Sequence, residues 1–232
     1  MKASRRTLAG LAFAALLPLG NPLCAQSASA YLFDLGTPFP GDPNPDGTSP
    51  WATGTITTLS DGVELTLSLA GLAGSDFISD AYFNVNPALD ASGLSNLAFS
   101  IEQIAAGVTA PTITACEDAY KSDGDGFYDI LLAFSKSGAG RFGAGDFVKI
   151  KITDPLAPIA ASDFLFKSST GGGEGIYYAA AHVQSVASSP YSTWIGATSY
   201  AAIPEPAGCA ARLGAAALGL ALATRRRARV PG

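Results

Sequence analysis

The chain carries one histidine, His182, so imidazole chemistry of any kind must pass through that residue. Three cysteines are present, but Cys24 and Cys209 fall in the two terminal segments. Cys116 therefore stands alone between residues 31 and 203, and no disulfide can staple that body from within. A body without a disulfide must rely on its core or on a bound ion. Basic residues are scarce there too. Of the 14 Lys and Arg, eight lie in the two ends, which leaves Lys121, Lys136, Arg141, Lys149, Lys151 and Lys167. Of the 19 acids only Glu205 lies outside, so the body carries a net charge of about −12 against −5 for the whole chain. Such a field repels phosphate backbones and excludes nucleic acid as a partner. The Gly-rich run Gly171–Gly175 has no phosphate-loop lysine. No fixed-period repeat is present, and helical spacing of apolar residues is almost absent from the body.

The two ends have a different character. Met1-Lys2-Ala3-Ser4-Arg5-Arg6 is basic, Leu8–Leu19 is apolar but too short to span a bilayer, and Ala28-Ser29-Ala30 closes the segment with small residues. That is the pattern of a cleavable secretory signal over 1–30, with Ala25 as an alternative last residue. At the other end, Pro204-Glu205-Pro206 precedes an Ala- and Gly-rich stretch, 207–224, and then Arg225-Arg226-Arg227-Ala228-Arg229. The two prolines hold the backbone extended, as proteases require. The arginines would stay cytoplasmic under the positive-inside rule, so an exported chain would halt with its body outside and its tail inside. Arg212 interrupts the apolar stretch near its start, where a long side chain can snorkel.

This four-part arrangement of signal peptide, Pro204-Glu205-Pro206, apolar stretch and arginine cluster resembles the PEP-CTERM sorting signal of bacterial exosortase substrates. The resemblance implies recognition by a membrane-embedded exosortase, with Pro204, Glu205, Pro206, Arg225, Arg226 and Arg227 as the sorting residues. It also implies transient inner-membrane anchoring through the C-terminal helix, then delivery to the cell surface or the extracellular matrix. The stretch 121–206 is similar to a recurrent type of PEP-CTERM protein. The likeness rests on Asp123–Ile130, Gly140-Arg141-Phe142, Gly171–Gly175 running into Tyr177–Gln184, and Trp194-Ile195-Gly196. It implies one extracellular β domain and carries no biochemical activity with it.

The body itself alternates. Val63, Leu65, Leu67 and Leu69 share one face while Glu64, Thr66 and Ser68 share the other, and Asp61-Gly62 predicts a hairpin back to Thr55–Leu59. Tyr128, Ile130, Leu132 and Phe134 predict a second apolar face, and Val148, Ile150 and Ile152 a third, opposite Lys149 and Lys151. Further strands are expected in 51–56, 77–85, 97–104, 162–166 and 176–186, with brief helical turns at 89–94 and 118–121. Many short strands between Gly, Pro, Asp and Asn clusters give an all-β fold, a single β-sandwich or jelly-roll-like domain over 31–203 flanked by the two terminal segments.

Three constellations bear on chemistry. Asp123, Asp125 and Asp129 gather carboxylates around two glycines just before a strand, a composition that suits a hard cation such as Ca²⁺ and equally suits a solvated acidic turn. Phe127 and Phe134 exclude an EF-hand loop. Cys116 with His182 would make a nucleophile and base only if the fold joined them; otherwise Cys116 reads as a small buried apolar residue. Tyr31, Trp51, Tyr82, Tyr177, Tyr178, Tyr191 and Trp194 are either aromatics of the sandwich or stacking platforms for sugars. With 18 acids in the body, some pair will always suit glycoside hydrolysis, and that signal is empty. The sequence thus points to an exported, non-catalytic protein that could belong to an exopolysaccharide or biofilm matrix. A carbohydrate-binding module tethering exopolysaccharide is the alternative, and a secreted hydrolase the third reading.

Overall fold

The computed structural model describes residues 30–204, apart from 91–93, 124–125, 172, 174 and 187–190. Thirteen strands account for most of it: β1 (Ala30–Leu35), β2 (Thr37–Pro38), β3 (Ala52–Leu59), β4 (Gly62–Ser68), β5 (Phe77–Phe83), β6 (Ala98–Ile104), β7 (Thr112–Lys121), β8 (Phe127–Ala133), β9 (Phe142–Gly143), β10 (Phe147–Thr153), β11 (Ala179–Val186), β12 (Tyr191–Ala197) and β13 (Tyr200–Ile203). The first sheet runs β13-β1-β3-β4-β10-β6 and the second β2-β12-β11-β5-β8-β7, with β9 beside β5. Every pairing is antiparallel. The fold is all-β, two sheets closing on one core.

Alternation produces that core. Val63, Leu65 and Leu67 of β4 face Val148, Ile150 and Ile152 of β10 across a strict register, and all six are buried. Their neighbours Glu64, Lys149 and Lys151 point outward. Phe33 and Ile56 join them from β1 and β3, while Ile78, Phe83, Ile130, Leu132, Val183 and Ile195 close the core from the second sheet. Burying each such side chain stabilises the fold by roughly 1.5–3 kcal/mol. The β3–β4 hairpin forms as expected, but Leu59 pairs with Gly62, so Ser60 and Asp61 are the loop residues. Gly62 opens β4 at φ +153°, and a Cβ there would run into the Ile152 carbonyl.

The second sheet is covered on both faces. All seven residues of β5 are buried, because its outer face lies beneath a second cluster of Phe39, Tyr82, Tyr128, Tyr177 and Ala180. This explains one departure from simple alternation. Tyr128 was expected on the inward face with Ile130 and Leu132, yet it packs in the outer cluster. The phase breaks at the bulge between Ala115 and Tyr120 of β7, opposite the start of β8.

Three other expectations need correction. Residues 118–121 form the end of β7 rather than a helical turn, because this edge strand carries polar residues on both faces and loses its period. The 162–166 segment holds a 3-10 turn, Ala161–Phe164, whose Asp163 carboxylate accepts the Ala160 amide at 2.9 Å. Cys116 is exposed on β7 rather than buried. The turn expected at 89–94 corresponds to a four-residue helix, Pro87–Asp90, and a 3-10 turn, Leu94–Asn96.

The chain ends of the described body meet. Ala30 pairs with Ile203 on one side and with Thr57 on the other. The strand β13 therefore leaves the sheet at the end that carries the β3–β4 hairpin tip.

Candidate functional site

The outer face of the second sheet gathers the chemistry. Two cross-strand rows define it. In the first, Tyr82, Ala180 and Gly196 lie side by side, and in the second Asp80, His182 and Trp194 do. Two of the three residues in the first row, Ala180 and Gly196, are small, so rings from two loops can lie flat upon them beside Tyr82. Any side chain at Gly196 would collide with the Tyr177 ring. The result is a column of near-parallel rings. His182 stacks on Trp194 at 4.3 Å, Trp194 on Phe39 at 6.0 Å, and Phe39 on Tyr177 at 4.5 Å. Side-chain contacts to the backbone fix the Phe39 loop: the Asp42 carboxylate accepts the Trp194 amide at 2.7 Å, and the Thr193 hydroxyl donates to the Pro43 carbonyl at 2.6 Å.

Beside this column lies a polar network that the sequence did not announce. Ser79 sits where the register of β5 and β11 shifts. Its hydroxyl donates to Asp80 Oδ2 at 2.7 Å, lies 3.2 Å from His182 Nδ1 and accepts from Gln184 Nε2 at 3.1 Å. Lys136 Nζ reaches Asp80 Oδ2 at 3.2 Å. Serine, histidine and aspartate thus meet, but not in catalytic order. A triad needs the acid on the imidazole nitrogen that faces away from the serine. Here Ser79 and Asp80 address the same nitrogen, Nδ1, and Ser79 is fully buried. The group acts as a bolt between β5 and β11.

Burial pushes the Asp80 carboxyl up, but the nearby His182 imidazole, 3.8 Å away, the Ser79 hydroxyl and the Lys136 ammonium outweigh it and hold the group below the usual carboxylate range. A depressed folded value means that the stability Asp80 contributes is present above about pH 3.9 and is lost as pH falls through the folded value. Asp80→Asn is expected to destabilise the protein by about 1–2 kcal/mol near pH 7. Melting of both proteins across pH 3–7 checks this: the gap should close toward the acid end.

The acidic turn is arranged differently from its sequence pattern. Asp129 is 5% exposed, and its two oxygens accept the Val85 amide at 3.0 Å and the Asp118 amide at 2.9 Å. Asp118 takes a positive φ of 46° in the β7 bulge and receives the Ser169 hydroxyl at 2.8 Å. Asp123 is exposed, and Asp125 lies outside the described residues. Among the described residues no three His, Cys, Asp or Glu side chains gather as metal ligands. Asp129 ties the segment after β5 and the β7 bulge to β8.

Cys116 and His182 are not brought together, since β5 and β8 lie between their strands. Of the seven aromatics, Trp51, Tyr82 and Tyr177 are buried, and Trp194 has its ring flanked by His182 and Phe39. Tyr191 stands 70% exposed at the start of β12. Pro204 is exposed directly after β13, whereas Glu205, Pro206, Arg225, Arg226 and Arg227 lie outside the described residues, as do 1–29 and the apolar stretch 207–224. Among the described residues no helix is long and apolar enough to cross a membrane. The chain matches no protein-family model, no curated protein and no solved structure.

Proposed function

We propose that the chain is an exported protein with a non-catalytic sandwich body, sorted by a membrane exosortase and delivered to the cell surface or the extracellular matrix. The register of Ala30 with Ile203 carries this reading. Both segments to be removed leave the sandwich at one end, just beyond the last paired residues. Cuts made there leave the core untouched. A cut after Ala25 would keep Ala30, which is 7% exposed, in β1, whereas a cut after Ala30 removes that one residue and leaves Tyr31 to open the strand.

The same end carries apolar side chains in the open. Leu59 at the hairpin tip is 37% exposed, Leu156 in the facing loop 72% and Ile203 39%. That surface suits a body held close to a bilayer by its tail before release. The network at Ser79 and the separation of Cys116 from His182 favour a body without catalysis. The ring column at Trp194 favours a structural role over glycan stacking, since sugars need an open aromatic face.

The arginine cluster supplies the test of topology. Replacing Arg225, Arg226, Arg227 and Arg229 by Asn is expected to let the tail slip outward and to impair sorting, read as loss of processed extracellular protein. Processing and release at the normal rate would remove the stop-transfer role.

A further inference from the structure

Asp76 is an unexplained group. It stands at the entrance to β5, its residue is 1% exposed, and its carboxylate Oδ2 accepts the Asp46 amide at 2.8 Å. The other oxygen, Oδ1, is buried with no partner. A buried acceptor left without a donor or a cation is costly, so such an atom asks for a ligand.

Its surroundings supply more oxygen. The loop Gly41-Asp42-Pro43-Asn44-Pro45-Asp46-Gly47 is strapped to the loop before β5. Ala73 donates to the Asp46 carbonyl at 3.0 Å, Thr48 donates to the Gly71 carbonyl at 2.8 Å, and Gly47 bridges Leu72. Gly74, at φ +65°, brings the backbone beneath the Asp46 carboxylate: a Cβ there would lie 3.2 Å from Asp46 Oδ2. The Asp46 side chain is thus turned over the same loop that leads to Asp76. Pro43 and Pro45 in the first loop add carbonyls without amides, and of these the Pro43 carbonyl accepts the Thr193 hydroxyl. No ion pair among the described residues involves Asp46 or Asp76. Two acids stand at this junction of the two loops, and neither is paired with a basic side chain among the described residues.

We propose that Asp46 and Asp76 form a divalent-cation site, with calcium the ion it takes. The two loops are joined by few strand bonds, so an ion held between them would clamp the strap onto β5. Calcium accepts six to eight oxygens in loose geometry, as carboxylates and loop carbonyls provide, whereas magnesium demands a tight octahedron that this pair does not build. The absence of Cys and His from both loops argues against zinc. The site is distinct from the acidic turn at Asp123, Asp125 and Asp129.

The experiment is calorimetric titration of the full-length chain, stripped with chelator and held in detergent, with calcium chloride and then magnesium chloride. One calcium per chain is expected, with magnesium much weaker. Asp46→Asn is the safer variant because Asp46 is only half-buried, and it should weaken calcium at least about tenfold by removing one ligand charge. Asp76→Asn should abolish binding. Absence of saturable calcium binding in the wild type, or unchanged affinity in Asp46→Asn, overturns the assignment. So does loss of binding in Asp123→Asn with Asp46→Asn unaffected, which would place the ion in the acidic turn.

Discussion

A chain with Ala in place of Pro204, Glu205 and Pro206 is expected to fold and be exported but to remain in the inner membrane at unprocessed mass. The reason is local. These residues follow β13, whose four residues are all exposed and pair only with β1. Pro204 is itself exposed, so its own substitution removes no core contact. What disappears is the extended, ladder-free backbone that two prolines impose, together with the acid between them. Membrane fractionation and the melting curve separate the two effects. Retention in the membrane with an unchanged melting temperature supports a sorting motif. Extracellular protein of normal mass from the triple variant would reduce the tail to an anchor.

The largest effect within the body is expected at Asp129. Asp129→Asn keeps the shape, but it sets an amide donor where a carboxylate oxygen accepted a backbone N–H. One of the Val85 and Asp118 amides then loses its acceptor and faces another donor. A buried donor left unpaired costs about 1–3 kcal/mol, and the opposed donors add to it, so a total of roughly 2–4 kcal/mol is expected. For a domain of this size that lowers the melting temperature by about 5–15 °C. The pH dependence runs opposite to that of Asp80. Burial pushes the Asp129 carboxyl up, more than its two backbone hydrogen bonds pull it down. A raised folded value means the folded state holds the proton more tightly. The corresponding stability is fully present below about pH 3.9 and is lost as pH rises through the folded value. Wild type should therefore gain on Asp129→Asn as pH falls, while its lead over Asp80→Asn shrinks. A melting series of the three proteins would show the two gaps moving in opposite directions.

These residues also mark where the sequence was legible. Strands β4 and β10 were readable because each has one dry and one wet face, and side-chain alternation reports that directly. The hairpin between β3 and β4 was readable from Asp61-Gly62, although the turn sits one residue earlier. By contrast β7 is an edge strand with Glu117, Asp118 and Lys121 in the open, so no hydrophobic period exists to read. The strand expected at 77–85 forms as β5, but with both faces covered its alternation gives way to a continuous buried run. Tyr128 was misassigned because a bulge on a neighbouring strand changes its phase, and nothing in its own segment records that. The ring column and the Ser79 network draw on residues 39, 79, 80, 136, 177, 182, 184 and 194. Only the second sheet brings them together, and no local motif could have signalled them. Among the three acids of the turn, composition was visible but direction was not: Asp129 turns inward onto amides, while Asp123 stays in the open.

The intact mass of the extracellular protein tests the central claim most directly, because one number fixes both ends. The account expects a chain that starts between Gln26 and Tyr31 and ends near Pro204-Glu205-Pro206, with both termini at or beside the positions of the Ala30–Ile203 pair. A mass that retains the arginine-rich tail would contradict it, and so would an end that cuts into β13.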